Sequence, residues 1–206
     1  MPNTSLLHQT GGILIDLLFP IECLGCNKSG YFLCPDCLDN SIKPSDNLVC
    51  PICEQKSRVG LTHPKCQTPH SPEGIFIAGD LKDPLLNTAV KSFKYKNVQD
   101  LSESLAHFLT NKFNLHFSTY IRNKPWAVTY VPLHYAREKQ RGYNQSSLIA
   151  KHFAQNFSFS CYQTLIRTKQ TIDQTKLDRK ERQKNVEGAF IKNRKFSDKR
   201  CQFSAN

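Results

Sequence analysis

The 206-residue sequence contains no long hydrophobic run, which argues against a membrane-spanning helix. Its apolar stretch nearest the N-terminus, Ile13 to Phe19, is too short to cross a bilayer and is interrupted by Asp16. No lysine or arginine precedes this stretch, although a secretory signal normally begins with basic residues. The sequence therefore predicts a cytoplasmic protein without membrane insertion.

The sequence also lacks the common glycine-rich phosphate loops. Neither G-x-x-x-x-G-K nor G-x-G-x-x-G occurs in it, and the only glycine after Gly142 is Gly188. In addition, no two acidic residues are adjacent anywhere in the chain. These absences argue against the usual mononucleotide and dinucleotide sites, which depend on such loops.

Cysteine, by contrast, is abundant and unevenly placed. Seven of the nine cysteines lie between Cys23 and Cys66; six of them form three C-x-x-C pairs, and a His-Pro-Lys-Cys segment repeats the spacing. These four pairs supply eight ligands, the number that two tetrahedral zinc sites require. Disulfides need an oxidising compartment, and a redox C-x-x-C normally stands singly beside a βαβ unit. The spacing therefore predicts two structural Zn²⁺ sites.

The simplest ligand assignment is sequential, with Cys23, Cys26, Cys34 and Cys37 for the first ion and Cys50, Cys53, His63 and Cys66 for the second. An interleaved assignment stays open. His70 could also replace His63, although its spacing from Cys66 fits less well. Structural zinc would supply the folding free energy that a segment of about 45 residues cannot obtain from its own core.

The net charge of +11 is concentrated in the last third of the chain. Residues 137–200 hold sixteen Lys or Arg and six Asp or Glu, whereas residues 1–136 hold twelve and eleven. Such a surplus attracts a polyanion such as nucleic acid, a nucleotide or pyrophosphate. The alternative is a solvated face with no ligand.

Hydrophobic periodicity predicts the elements beyond the cysteines. Residues 11–19 predict a short leading helix, and residues 62–74, with three prolines, predict a linker. After the linker, the pattern predicts a strand at 74–79, helices at 85–95 and 98–113, a strand at 127–131, a helix from about 144, a strand at 161–166 and a charged helix or ordered loop at 177–185. This alternation predicts an α/β domain with a largely parallel sheet.

The clearest binding signal is the basic segment that follows the strand at 127–131. This loop contains Arg137, Lys139 and Arg141, and Gly142 precedes a helix that begins at about Asn144. Ligands of open α/β sheets bind at the carboxyl ends of strands, and a helix N-terminus favours an anion. These parts predict a phosphate or pyrophosphate site, the alternative being a capped helix with surface arginines. Residues 167–190, which are polar and basic, predict a mobile flap or an exposed charged helix.

The order of these motifs resembles the ComF family from about Leu17 to about Phe196. The resemblance rests on the cysteine pairs, Lys94-Tyr95, Pro132-Leu-His with Arg137 and Arg141-Gly-Tyr-Asn-Gln145, and the series Thr171, Gln174, Leu177, Glu181-Arg182, Asn185-Val and Gly188-Ala-Phe190. It implies a double zinc ribbon with a short leading helix in residues 1–70 and a type I phosphoribosyltransferase-like parallel-sheet domain in residues 71–206. His63 stands where the family more often has cysteine, and zinc accepts either donor.

The resemblance also implies ligands and partners. These are 5-phosphoribosyl 1-diphosphate with Mg²⁺, single-stranded DNA handled during natural transformation, and a DNA-uptake helicase. The residues that it implies for the pyrophosphate loop and the flap are Arg137, Arg141, Gly142, Asn144, Gln145, Arg182 and Asn185.

One departure from the family pattern is serious. Transferases of this kind hold the ribose hydroxyls with two adjacent acidic residues and the 5-phosphate with a Thr-Thr-Gly-type loop, and neither occurs here. We therefore expect a truncated, incomplete phosphoribosyltransferase-like domain that lacks transferase activity on its own. The alternative function is a zinc-ribbon module that binds single-stranded nucleic acid without chemistry, with Tyr135, Tyr143 and Tyr162 available for base stacking.

Overall fold

The computed structural model describes residues 20–43, 45, 48–121, 125–174 and 177–194, with residues 119–121 described by their backbone only. The predicted leading helix at 11–19 lies outside the described residues. The segment after residue 194, where the ComF resemblance implies an acidic strand, also lies outside the described residues.

The first part of the chain folds as two cysteine knuckles of the same geometry. In the first, the Asn27 N–H donates to the Cys23 carbonyl, and in the second the Glu54 N–H donates to the Cys50 carbonyl, both at 2.9 Å. Asn27 and Glu54 both have positive φ angles, of 60° and 58°. An isolated antiparallel bridge closes each knuckle, between Glu22 and Ser29 in the first and between Val49 and Lys56 in the second. The chain therefore contains a structural repeat in which only the cysteine spacing is evident from sequence.

Helices and short strands alternate after residue 80. In chain order they are α1 (Pro84–Tyr95), α2 (Leu101–Ile121), β1 (Ala127–Thr129), α3 (Tyr135–Arg141), α4 (Gln145–Asn156), β2 (Ser160–Tyr162), β3 (Leu165–Arg167), α5 (Arg179–Val186) and β4 (Phe190–Lys192). Short helical turns in the knuckle region span Cys37–Ser41, Arg58–Gly60 and Pro64–Cys66. Asp83 caps α1 by accepting a hydrogen bond from the Leu86 N–H at 2.9 Å, and Pro84 occupies the first turn, where its missing N–H costs nothing.

The strands form two pairs. β1 and β2 are parallel, with Val128 opposite Cys161, and β3 and β4 are antiparallel, with Ile166 opposite Ile191. Helix α4 follows β1 in sequence and packs against both β1 and β2, which is the arrangement of a βαβ unit. The predicted mixed α/β class, with cysteine clusters followed by a parallel sheet, is therefore confirmed.

Three sequence predictions of local structure were wrong. The run at 74–79 forms no strand: Gly74 makes an isolated bridge with Leu61, and Gly79 is a further bridge residue. The predicted strand at 161–166 is divided into two. Its first part belongs to β2, which pairs with β1, and its second part belongs to β3, which pairs with β4. Between them, the Thr164 carbonyl accepts a hydrogen bond from the Asn193 N–H at 2.9 Å. The basic segment between residues 133 and 143, predicted to be a loop, contains the helix α3.

The main hydrophobic core joins the first knuckle to α1 and α2. Its buried members are Cys23, Leu33, Cys34, Cys37, Leu38, Ile42, Leu86, Ala89, Phe93, Leu101, Leu105, Phe108 and Tyr143. Tyr143 stacks on Phe93 with ring centroids 5.5 Å apart, and its hydroxyl donates to the Phe93 carbonyl. A second, smaller cluster of Ala150, Ala154 and Cys161 lies between α4 and the parallel strands. Cys161 is therefore a packing residue.

We expect Phe93→Ala to lower the free energy of unfolding by about 3–5 kcal/mol, because it removes a buried ring at the centre of the main core. The control is Leu115→Ala on α2, whose side chain is 75% exposed and whose loss should change stability by less than about 0.5 kcal/mol. Denaturant unfolding followed by circular dichroism measures both. Equal effects of the two substitutions would contradict the assignment of this core.

Candidate metal centres and basic pocket

The first cysteine cluster has the geometry of a tetrahedral zinc site. The sulfur atoms of Cys23, Cys26, Cys34 and Cys37 all lie within 4.8 Å of one another, and Cys26 Sγ is 3.6 Å from Cys34 Sγ. Tetrahedral Zn–S bonds of about 2.3 Å require sulfur atoms about 3.8 Å apart. The described cysteines form no disulfide. This cluster could therefore hold zinc, with the sequential ligand set.

The backbone around the first cluster favours thiolate ligands. The N–H groups of Cys34 and Gly25 point at Cys23 Sγ, at 3.3 and 3.5 Å. Burial opposes ionisation, but these backbone donors prevail and lower the pKa of Cys23 to about 6. A side chain at Gly25 would place its Cβ 2.8 Å from Cys37 Sγ, so the close approach of the backbone to the sulfur atoms requires glycine.

The second cluster consists of Cys50, Cys53, His63 and Cys66, whose ligand atoms also lie within 4.8 Å of one another. The His63 Nδ1 is 3.3 Å from Cys53 Sγ, and its Nε2 lies 3.1 Å from the Lys56 carbonyl oxygen. An Nε2–H donated to that carbonyl leaves Nδ1 free as the metal ligand, which is how ligating histidines are usually oriented. The geometry therefore selects His63, and His70 is not part of the cluster.

The protonation of both clusters also fits a resident cation. Burial, and after it the neighbouring thiols, raise the pKa of Cys37 to about 12 and that of Cys66 to about 11. Within the second cluster, backbone N–H groups outweigh burial and lower the pKa of Cys50 to about 6. Four closely packed thiol or imidazole ligands cannot all be in their metal-binding forms unless a divalent cation compensates the thiolate charge. Both ligand sets are of the kinds that zinc uses in structural sites.

The second candidate site is a basic pocket of about 570 Å³ between α1 and α3. Four of its lining residues are cations and one is acidic. The lining residues are Lys94, Tyr95, Asn97, Arg137, Lys139, Gln140, Arg141, Gly142 and Asp173. The positive surplus makes the pocket a place where an anion is attracted.

The strand-to-helix connection positions the arginines of this pocket. Helix α3 begins after His134, whose Nδ1 accepts from the Ala136 N–H at 3.3 Å, and it ends at Gly142, which has a φ of 78°. Asn144 then caps α4 by accepting from the Ser147 N–H at 3.3 Å, and its Nδ2 donates to the Val131 carbonyl at 3.3 Å. Because Asn144 bonds to both α4 and the chain just after β1, it ties the carboxyl end of the strand to the start of the helix.

Arg141 is held on both sides. Its guanidinium lies 5.3 Å from the centre of the Tyr95 ring, and its Nη1 donates to Gln145 Oε1 at 3.0 Å. Gln145 is buried, and its Nε2 has no hydrogen-bond partner among the described residues. An unpaired buried donor costs free energy, so this amide is an unsatisfied group directly behind Arg141.

The structure separates the predicted substrate residues into two groups. Arg137, Arg141 and Gly142 line the basic pocket, and Asn144 and Gln145 lie directly behind it on α4. Arg182 and Asn185 do not line the pocket. They form hydrogen bonds with the segment on either side of the pocket residue Asp173. Arg182 Nε donates to the Gln174 carbonyl at 3.0 Å, and Asn185 Nδ2 donates to the Ile172 carbonyl at 3.1 Å.

The segment held by α5 brings an acidic residue to the pocket that the sequence analysis missed. Asp173 lines the pocket, and the preceding Thr171 carbonyl accepts from Arg137 Nη2 at 3.1 Å. Lys139, from the predicted basic loop, also lines the pocket, whereas Lys94 and Asn97 are lining residues that were not predicted as ligands. The Lys94-Tyr95 motif was the sequence feature that could have indicated this side of the pocket. No local pattern, however, connects it with the arginines of α3, which lie some 40 residues further along the chain.

Comparison with known proteins finds one informative similarity. The chain is 29% identical over 117 residues to Competence protein F of Haemophilus influenzae, a match that covers 56% of this chain and 51% of that protein. The chain thus spans about half the length of that relative. No protein-family model and no solved structure matches the chain. The resemblance that the motifs indicated is confirmed over a little more than half of the sequence.

None of the described helices combines the length and the hydropathy that a bilayer crossing requires.

We expect the purified protein to contain two zinc ions per chain, and His63→Ala to reduce the content to about one, because the second cluster would keep only three ligands. His70→Ala is the matched control and should leave two ions in place. His63→Cys should also retain both, since zinc accepts thiolate in place of imidazole. Metal analysis by mass spectrometry measures the content. Loss of an ion from the His70 variant would show that the ligand set is wrong.

Zinc loading of the metal-free protein should release about one proton from each of Cys37 and Cys66 at pH 7, because a pKa of about 12 or 11 keeps both thiols protonated until the metal arrives. Affinity for zinc should fall further below about pH 6, where the thiolates of Cys23 and Cys50 also take up protons. Calorimetric titration in buffers of different ionisation enthalpy measures the released protons. A heat of binding that does not depend on the buffer would contradict this.

Proposed function

We propose that this protein is a ComF-like, competence-related protein in which a double zinc ribbon supports a phosphoribosyltransferase-like body, and that the basic pocket binds 5-phosphoribosyl 1-diphosphate. The similarity to Competence protein F supports a competence-related function. The mixed α/β architecture, with cysteine clusters followed by a parallel strand pair, is compatible with this assignment.

One observation carries the ligand proposal, namely the convergence of Lys94, Arg137, Lys139 and Arg141 on a single pocket of about 570 Å³. Arg137 and Arg141 are four residues apart on α3, so both guanidinium groups project from neighbouring turns of one helix. Guanidinium groups bind phosphate oxygens with paired hydrogen bonds, and lysines add point charge. A diphosphate matches such a site better than a singly charged anion does.

The remaining pocket groups would orient the ligand. The Tyr95 ring holds the Arg141 guanidinium from one side, and Gln145 Oε1, behind the pocket, accepts from it on the other. Asp173 is the carboxylate in the lining, and Mg²⁺ that arrives with a diphosphate takes this kind of oxygen ligand. Zinc would contribute to folding alone, because a site with four protein ligands has no open position for substrate.

The proposal concerns binding and does not extend to transfer of the phosphoribosyl group. The sequence contains no adjacent acidic pair that could hold the ribose hydroxyls. A protein that binds this ligand without turning it over could use it as a signal during DNA uptake, with a DNA-uptake helicase as a candidate partner.

Calorimetry with 5-phosphoribosyl 1-diphosphate and Mg²⁺ should detect binding to the intact protein, and Arg141→Ala should weaken it at least about tenfold, because one charge-assisted contact is worth roughly 1.5–3 kcal/mol. Arg137→Ala should have a similar effect. The control is Lys82→Ala, which removes one positive charge from an exposed position just before α1. No binding by the wild type at millimolar ligand would refute the proposal.

A second candidate function is binding of single-stranded DNA without chemistry. Two exposed tyrosines favour it, Tyr95 in the basic pocket and Tyr135 at the start of α3, which are 61% and 74% exposed. Such rings stack on bases while neighbouring cations contact phosphates. Of the tyrosines predicted for this role, Tyr143 is buried in the main core and cannot stack.

If DNA binding is the function, the affinity for an oligothymidine should fall steeply with added salt, since bound phosphates release counterions. Tyr135→Ala should then weaken binding by about fivefold or more, because stacking is worth about 1–3 kcal/mol per base. Tyr31→Ala in the first knuckle is the control, with a side chain 44% exposed. Fluorescence anisotropy measures both. An affinity that does not change with salt would exclude this function.

A further inference from the structure

Arg167 is a half-buried arginine beside the basic pocket to which neither the motifs nor the similarity assigns a role. It is the last residue of β3 and faces Phe190 of β4, with its guanidinium 5.4 Å from the centre of that ring. Its Nη2 donates to the Thr171 hydroxyl. The Nε atom is buried and has no hydrogen-bond partner in the described part of the chain.

Arg137 forms a hydrogen bond with the backbone of the same threonine. Its Nη2 donates to the Thr171 carbonyl at 3.1 Å, so that two guanidinium groups meet at one residue whose exposure is 7%. Burial lowers the pKa of Arg167, and the positive charge of Arg137 lowers it further. Arginine nevertheless remains protonated in proteins, so the repulsion between the two groups persists at every physiological pH.

The carboxylate of Asp173 lines the same pocket as Arg137 and offsets part of this repulsion, whereas the ion pairs that the structure describes lie elsewhere. They join Lys28 to Asp36 and Arg179 to Glu54, and neither includes Arg137 or Arg167. Two like charges in a partly buried place destabilise the folded protein, unless an anion is bound between or beside them. Arg137 lines the basic pocket, so an anion bound there would lie next to the pair.

We propose that Arg167 is a positioning residue of the anion site: through Thr171 it holds the guanidinium of Arg137 towards the pocket, and it adds a second positive charge behind it. The inference rests on the proposed anion-binding function and extends it to a residue outside the pocket wall. It also assigns the ligand class, since a site supported by an additional buried charge favours diphosphates over monophosphates.

The test uses inorganic pyrophosphate and inorganic phosphate as probes of the full-length, zinc-loaded protein. Arg167→Gln should weaken pyrophosphate binding about tenfold and phosphate binding less, whereas Arg167→Lys, which keeps the charge, should recover part of the loss. Lys82→Gln is the matched control, because it removes the same charge from an exposed site, and it should change either affinity by less than about twofold. Calorimetry at constant ionic strength measures these affinities.

Thermal unfolding distinguishes this role from a merely structural one. Without ligand, Arg167→Gln should unfold at the same temperature as the wild type or at a higher one, because the repulsion with Arg137 is gone. Pyrophosphate should raise the unfolding temperature of the wild type more than that of the variant. A structural role predicts the opposite, a lower unfolding temperature with and without pyrophosphate, and this result would overturn the inference.

The remaining outcomes separate the two proposals. If the wild type binds pyrophosphate and 5-phosphoribosyl 1-diphosphate, and Arg167→Gln binds them equally well, the role of Arg167 is refuted while the proposed function stands. If the wild type binds neither ligand, both proposals fail together.

Discussion

The convergence of four cysteine sulfurs in the first knuckle is the constraint on which the rest of the structure depends. Cys23, Cys34 and Cys37 are buried in the same core as Phe93 and Leu101 from the helices, so this cluster is part of the body's interior. Close-packed thiols that cannot all ionise without a cation make that interior dependent on metal. Loss of zinc from the first site should therefore disturb α1, and with it the wall of the basic pocket that carries Lys94 and Tyr95.

The second cluster is connected to the body differently. Its Glu54 accepts a hydrogen bond from Arg179 Nη2 of α5 at 2.7 Å, but both side chains are largely exposed. Exposed ion pairs of this kind contribute about 1 kcal/mol or less, so the contact orients α5 weakly. Helix α5 in turn forms hydrogen bonds with the segment that carries Asp173. The second cluster is therefore connected to the basic pocket only indirectly, through α5 and this segment. The two similar knuckles thus have unequal structural importance.

The basic pocket concentrates unfavourable features that a stable fold would otherwise avoid. Four cations line it, and next to its lining lie an unpaired amide at Gln145 and the Thr171 that two guanidinium groups share. Each of these lowers the stability of the ligand-free protein, and an anion would compensate all of them at once. This concentration of unsatisfied groups in one place is what supports the proposed anion site.

The sequence by itself determined the features that depend on short-range spacing. The C-x-x-C and H-x-x-C pairs indicate the candidate metal ligands, because both donors of each pair belong to one turn of the chain. Apolar periodicity predicts α1, α2 and α4, because a helix is a local structure. Tertiary structure alone decided which cysteine pairs cluster, that His63 and not His70 joins the second cluster, and that the strand at 161–166 divides. It also brought Lys94, Asp173 and Arg167 to the arginines of α3. These contacts join residues far apart in sequence, where no local pattern records the partner and only the packing of the whole chain selects it.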